Sequence, residues 1–300
     1  MSHHYTNVER ARLALEGLSL GDAFGDQFFL SGDQIDHQIA TRTLPSATWL
    51  TTDDTIMSLS VVENLIQHQG VDQDALAAAF GRRYLEDPNR GYGGTAHRIL
   101  RAIANGASWE VAANEAFDGM GSHGNGAAMR SAPLGAYFAD AETDFLAEQA
   151  RRAAVVTHAH PEGQAGAVAV AVAAQYAARR EAAAEPYELL KAAYDHLEPG
   201  DTRSGIRRAL DIPFERAPET VAAMIGSGEK VSSADTVPYS LWCAARHLGD
   251  FEAAMWATVS GLGDRDTTCA IVGGIVSLAV GREGLPPAWI AHREPLPTLD

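Results

Sequence analysis

"AVAVAVAAQYAARREAAA", Ala167–Ala184, is the stretch on which the fold class turns. Alanine has the strongest intrinsic preference for helix, and it recurs in "ALAAAF" (Ala75–Phe80) and "AAMWATV" (Ala253–Val259). The run of small residues Ala165–Ala173 is shorter than the roughly 20 residues that a membrane span needs, so it reads as a buried helix. Working outward, apolar residues recur at helical spacing almost throughout. Asn7 can cap a first helix through about Glu16, after which "GLSLGDAFGD" (Gly17–Asp26) is expected to open into a loop. Ile56–Gln67 places Leu59, Val62 and Ile66 on one face, and Asp74–Glu86 is amphipathic. Further helices are expected from about Thr95, after Ser108, and over Ala147–Val156, Gly163–Ala183, Pro186–His196 and Ser204–Leu210. Pro218–Met224, Tyr239–His247, Phe251–Ser260 and Thr267–Val280 complete the set. No alternating strand pattern and no repeat of about 20–50 residues is present. "RREAAAEPYE" (Arg179–Glu188) is the most polar segment and reads as a surface turn between helices. These features predict one all-α domain over residues 1–300, a compact bundle of many helices.

The formal net charge of −16 excludes a partner bound through clustered cations, so neither nucleic-acid backbone nor an anionic membrane is expected. Two cysteines, Cys243 and Cys269, lie in apolar helical segments and form neither a disulfide framework nor a Cys-x-x-Cys pair. A reducing cytoplasm fits that usage. The N-terminal "MSHHYTNVERARL" has no apolar core after a basic start, so no signal peptide is expected.

Two short stretches carry the chemistry. "TWLTTDDTIM" (Thr48–Met57) sets two aspartates side by side between hydroxyl residues, directly before an apolar helical run. It reads either as a helix cap, because Asp and Thr oxygens accept free amides at a helix start, or as a cation site. "GLGDRDTTCAIVGGIVSLAVG" (Gly261–Gly281) repeats the arrangement: Asp264, Asp266 and Thr267 match Thr52, Asp53 and Asp54. Two such helix openings suggest that the helix starts converge. Four carboxylates together require cations, and hard oxygen ligands select Mg²⁺, Mn²⁺ or Ca²⁺ over zinc. A metal pair about 3.5–4 Å apart could share them and activate a bridging water.

"GMGSHGNGAAMRSAPLGAYF" (Gly119–Phe138) contains Gly119, Gly121 and Gly124 in G-x-G-x-x-G spacing, but no strand precedes it and no βαβ unit surrounds it, which rejects a dinucleotide fingerprint. Two readings remain: a tight turn between helices, or a glycine loop whose amides, with a helix starting at Gly126 or Ala127, hold a phosphate. "RGYGGTAHRIL" (Arg90–Leu100) offers a similar loop. In "THAHPEGQAG" (Thr157–Gly166), His158 and His160 would diverge if extended, so one contacts a ligand and the other is structural. Pro161 is suited to start the following helix. In "SSADTVPYSLWCAARHL" (Ser232–Leu248), Tyr239 and Trp242 read as core residues, with base stacking as the other reading. No Gly-x-Ser-x-Gly elbow and no Walker loop occurs.

In order, "GLSLGDAFGD", "TDDT", "RGYGG", "GNGAAMRSAPLG", "THAHP", "DTVP" and "GDRDTT" make the chain resemble the ADP-ribosylglycohydrolases over nearly its whole length. The resemblance implies a compact all-α fold with a dinuclear magnesium or manganese centre in a cleft. By it Thr52, Asp53, Asp54, Asp264, Asp266 and Thr267 would ligate two Mg²⁺ or Mn²⁺ ions, and Asp53, Asp54, Asp264 and Asp266 would carry catalysis. Gly93, Gly94, Ser122, His123, Gly124, Asn125 and Gly126 would wrap the diphosphate and ribose of ADP-ribose, with His158 near the proximal ribose or phosphate. The implied reaction is hydrolysis at the anomeric carbon of ADP-ribose, freeing it from a modified protein or a small derivative. One departure stands out: Phe29 occupies the place of a glutamate that many relatives carry after the first Gly-Asp, and Asp26 could substitute from three residues earlier. Two other readings stay open, a binding or structural relative without catalysis and a hydrolase of another nucleotide-like glycoside.

Overall fold

The computed structural model of the chain describes residues 5–30, 32–179 and 185–299. Over these residues it is all-α, with seventeen α-helices, two short 3-10 turns and two isolated β-bridges. Thr6, not Asn7, caps the first helix. Its hydroxyl accepts the Glu9 amide at 3.2 Å while the Glu9 carboxylate accepts the Thr6 amide at 2.7 Å, a reciprocal capping box. The helix then runs Asn7–Asp26 and does not end at Glu16.

"GLSLGDAFGD" is therefore helix and not the expected loop, and packing gives the reason. A glycine inside a helix costs about 1 kcal/mol relative to alanine, so three in one face need a compensating contact. Gly17, Gly21 and Gly25 recur every four residues and face the Arg265–Val280 helix. A Cβ on Gly21 would stand 2.1 Å from the Cys269 carbonyl oxygen, and one on Gly25 would stand 2.3 Å from that of Arg265. A Cβ on Gly17 would stand 2.4 Å from the Gly273 carbonyl oxygen. Partner numbers fall as glycine numbers rise, so the two helices are antiparallel, with backbones as close as glycine permits. That register carries Asp22 to the start of the C-terminal helix.

The small-residue helix expected around Ala165–Ala173 is Pro161–Arg179, buried along most of its length. Its expected extension to Ala183 and most of the turn read from "RREAAAEPYE" lie outside the described residues. The helix expected to begin at Tyr239 begins at Ser233 and accommodates Pro238 in its second turn. Proline removes one N–H there, and its ring instead packs against Gly205. Helices at Gly32–Thr41 and Pro287–His292 have no counterpart in the sequence reading. Trp289 stacks on Phe24 at 4.5 Å, and Trp49 meets both rings edge-on. The Trp49 amide donates to the His292 carbonyl at 2.8 Å, and the Trp49 carbonyl accepts the Glu294 amide at 2.9 Å. Chain end and first helix thus clamp the segment leading into "TTDDT". No helix among the described residues is long and apolar enough to cross a membrane.

Candidate metal centre and ligand cleft

"TTDDT" turns out to be a cap and part of an acidic cluster together. Thr52 is the N-cap of the Asp53–His68 helix, its hydroxyl accepting the Asp54 amide at 3.3 Å. The same hydroxyl donates to Asp22 at 2.8 Å, and the Thr52 amide donates to the other Asp22 oxygen at 2.9 Å. Thr55 adds its amide at 3.2 Å and its hydroxyl at 2.5 Å. Asp22 thus receives four donors from the helix opening and locks it against the first helix.

At the other opening, Asp264 precedes the Arg265–Val280 helix, and its carbonyl accepts the Thr268 amide at 2.9 Å. The Thr267 hydroxyl donates across to Asp54 at 3.4 Å, joining the two helix starts. Carboxylate oxygens of Asp22, Asp54 and Asp266 lie within 4.8 Å of one another. Asp54 Oδ1 is buried and has no hydrogen-bond partner. Burying a carboxylate without a partner costs several kcal/mol (about 3–5), and no Lys, Arg or His forms an ion pair with any of the three among the described residues. Burial raises Asp54 and Asp266 well above the ordinary carboxylate range; the charge of Asp266 then adds to the rise of Asp54, and those of Asp264 and Asp22 to the rise of Asp266. Burial also lifts Asp22, to about 6. An oxygen-only, charge-rich and partner-poor cluster of this kind fits a hard divalent cation.

Above the cluster opens a cleft of about 530 Å³, within the range of small-ligand sites. Of the residues expected from the sequence to hold metal or ADP-ribose, all line this cleft except Thr52, which sits behind it against Asp22. Asp53 faces the cleft outside the three-oxygen cluster, and its carboxyl is lifted to about 8 by burial and then by Asp22 and Asp264. Asp264 also lies outside the cluster and accepts from Asn125 Nδ2 at 2.7 Å. Asn125 donates as well to Thr236 at 3.0 Å, so its amide nitrogen ties the glycine loop to the acidic site. The α-helix expected to start at Gly126 or Ala127 is absent: Asn125–Ala127 is a 3-10 turn, and the next α-helix begins at Ala132. Any anion here meets loop amides, not a helix dipole.

The two histidines of "THAHP" part ways. His158 lines the cleft and is pushed down to about 3, first by burial and then by the Arg130 charge, so it is neutral at physiological pH. His160 Nδ1 accepts the Glu162 amide at the opening of the Pro161–Arg179 helix. Tyr239 and Trp242 are wholly buried, which removes the base-stacking reading. Phe29 is half exposed with the Arg265 guanidinium 4.9 Å over its ring, while Asp26 does not line the cleft.

Two residues of the site have no counterpart among the sequence candidates. Asp22 lay in a quoted motif, but its segment was read as loop. Arg130 lay in "GNGAAMRSAPLG", where it was not singled out; it is 1% exposed.

The family model described as ADP-ribosylglycohydrolase matches residues 3–299. The chain is similar to ADP-ribosylhydrolase ARH3 of Homo sapiens, at 26% identity covering 94% of this chain and 88% of the relative. It is similar to ADP-ribosyl-(dinitrogen reductase) glycohydrolase of Rhodospirillum rubrum, at 26% identity covering 94% and 90%. A solved structure described as an ADP-ribosylglycohydrolase-related protein complex superposes with a TM-score of 0.65 at 26% identity, covering 96% of this chain and 93% of that one.

Proposed function

The chain belongs to the ADP-ribosylglycohydrolase family and is a glycohydrolase; from that premise we propose that it is a metal-dependent hydrolase of the glycosidic bond at the anomeric carbon of ADP-ribose, acting on ADP-ribosylated proteins or small ADP-ribose derivatives. The observation that carries the metal dependence is Asp54 Oδ1, buried without a partner inside the Asp22–Asp54–Asp266 cluster. Those three carboxylates, with Asp53, Asp264, Thr52 and Thr267 around them, would hold two Mg²⁺ or Mn²⁺ ions. Bound there, the ions supply a Lewis acid for the ribose hydroxyls and a water of lowered pKa.

The remaining chemistry falls to the chain. Water adds to the anomeric carbon as the bond to the acceptor breaks, and the sugar passes through oxocarbenium-like charge that the surrounding aspartates stabilise. Asp53 faces the cleft outside the three-oxygen cluster, which suits its carboxylate to take the water's proton and pass it to the departing acceptor. Gly93, Gly94, Ser122, His123, Gly124 and Gly126 line the cleft and would receive the diphosphate and ribose. Asn125 holds their loop to Asp264, so ligand loop and acidic site are set as one unit. The acidic charge of the chain implies that a protein substrate is recognised through its ADP-ribose and not through a basic docking face.

The test is release of free ADP-ribose from arginine-linked and serine-linked substrates with Mg²⁺, with Mn²⁺ and with chelator. Metal-dependent release from either linkage is expected, and Asp264→Asn and Asp266→Asn should lose both activity and bound metal. Release that survives chelation, or variants that keep metal content and rate, would overturn the proposal. Binding of ADP-ribose without release would point to a binding protein instead.

A further inference from the structure

Arg130 is a buried cation offset only by the nearby charge of Asp53, with which it forms no ion pair. Its side chain lies between the Asn125–Ala127 turn and the end of the Thr143–Val155 helix, 1% exposed, and no carboxylate forms an ion pair with it among the described residues. Its guanidinium sits 4.6 Å over the Phe80 ring. Nη1 donates to the Gly126 carbonyl at 2.9 Å; Nη2 donates to the Thr157 hydroxyl at 2.8 Å and the Ala153 carbonyl at 3.3 Å. A buried charge without an ion pair is costly, so its retention calls for a role.

That role follows from counting donors and acceptors. A threonine hydroxyl has one proton to give and two lone pairs to receive. Thr157 Oγ1 stands 2.8 Å from His158 Nδ1 and already receives Arg130. If Nδ1 carried the proton and donated to Thr157, the buried hydroxyl proton would have no acceptor among the described residues, an arrangement that costs about 1–3 kcal/mol. With Thr157 donating to Nδ1, the hydroxyl and Nδ1 are both satisfied and the imidazole proton sits on Nε2. Nε2 has no protein partner among the described residues, and a Cβ added to Gly126 would stand 3.3 Å from it. The free donor therefore abuts the glycine loop at the cleft.

We infer that Arg130 and Thr157 are positioning residues: through Arg130→Thr157→His158 they fix the Nε2–H tautomer of a neutral histidine, making it a permanent donor to the anionic diphosphate of the ligand, while Arg130 fastens the loop at the Gly126 carbonyl. The inference rests on the ADP-ribose reading above for the identity of the anion. Low proton affinity at His158, caused by burial and by Arg130, keeps the ring in one charge state but does not choose the tautomer; the hydroxyl does.

Nitrogen-15 NMR of the imidazole in the full-length protein reads the tautomer directly, without turnover. The wild type should show a proton on Nε2 and a bare Nδ1. Thr157→Val, close in shape, should lose that preference and weaken ADP-ribose binding in calorimetry about tenfold, the worth of one hydrogen bond to a charged group. Adenosine, which has no diphosphate, should bind Thr157→Val and wild type alike, and Thr157→Ser should restore both tautomer and affinity. Arg130→Lys should retain the charge but not the two-point hold, leaving the tautomer mixed. A wild-type proton on Nδ1, or a Thr157→Val protein with unchanged ADP-ribose affinity, overturns the relay. An Nε2–H wild type that binds neither ADP-ribose nor inorganic pyrophosphate overturns the ligand and the inference with it.

Discussion

Stripping divalent cations and raising the pH should destabilise this protein, and the acidic cluster sets the amount. Asp22 is wholly buried, and burial lifts its carboxyl from 3.8 to about 6 against the opposing hydrogen bonds from Thr55 and Thr52. An acid harder to ionise when folded makes the folded state bind more protons than the unfolded one, so stability falls as pH rises between the two values. For Asp22 that window is about pH 4 to 6 and the loss across it about 3 kcal/mol. Asp53, lifted to about 8 by burial and by Asp22 and Asp264, carries the slope on toward pH 8. Glu162 and Glu294 act in the opposite sense: although burial opposes it, their hydrogen bonds hold them below 4.5, and that stabilisation disappears only as pH falls below this region. The informative range therefore starts near pH 5, and over about pH 5 to 8 the metal-free protein should lose at least about 3 kcal/mol. Urea denaturation of chelator-treated protein at several pH values, with and without millimolar Mg²⁺, measures it. Protons and metal compete for the same oxygens, so the gain from Mg²⁺ should grow with pH, and Asp22→Asn should flatten the metal-free slope. Metal-free protein that is equally stable at both ends of the range, or a Mg²⁺ gain that ignores pH, would refute the reasoning.

Three further outcomes follow from packing and from the clamp on the acidic segment. Gly21→Ala puts a Cβ against the Cys269 carbonyl oxygen, a backbone atom that cannot swing aside; a loss of about 3 kcal/mol or more is expected in thermal or urea unfolding, together with loss of metal-induced stabilisation because Asp22 moves with its neighbour. Trp289→Ala removes a buried ring stacked on Phe24, and its unfolding midpoint should report a cost of about 3–5 kcal/mol. Glu294 accepts the Thr51 amide at 2.8 Å and Arg90 Nη1 at 2.5 Å; Glu294→Ala should cost about 1–3 kcal/mol in urea unfolding by leaving the Thr51 amide unmet.

The fold class was legible because alanine-rich runs and helical spacing are local signals that tertiary packing did not override. Where the reading slipped, the decisive contact was distant in sequence. Glycines at Gly17, Gly21 and Gly25 look like loop punctuation until the C-terminal helix is laid against them, since nothing local distinguishes a turn glycine from one that admits another backbone. Pro238 reads as a helix start for the same reason: its tolerance depends on Gly205, from another helix, leaving room for the ring. At the C-terminal side of the glycine loop the slip went the other way. "GNGAAMR" has good helix formers, yet Asn125 is pulled to Asp264 and Thr236, and the chain makes only one 3-10 turn.

The candidate site shows the same division and explains it. Residues that open helices are visible in sequence because hydroxyls and carboxylates cluster at a helix start for local reasons, and Thr52, Asp53, Asp54, Asp264, Asp266 and Thr267 were all found in that way. Asp22 opens nothing. It sits in mid-helix, a position where a carboxylate has no local purpose, and its function exists only across the glycine face that carries it to Thr52, Thr55 and Asp266. The four donors that it receives would suffice for a structural carboxylate, but they leave Asp54 Oδ1, its neighbour, with none. A purely structural cluster would distribute its donors so that no buried oxygen went unmet. Donors spent on Asp22 and on Asp54 Oδ2 but withheld from Asp54 Oδ1 are what a site looks like when the missing partner is a cation, and that one unmet oxygen, not the number of aspartates, separates this cluster from a pair of helix caps.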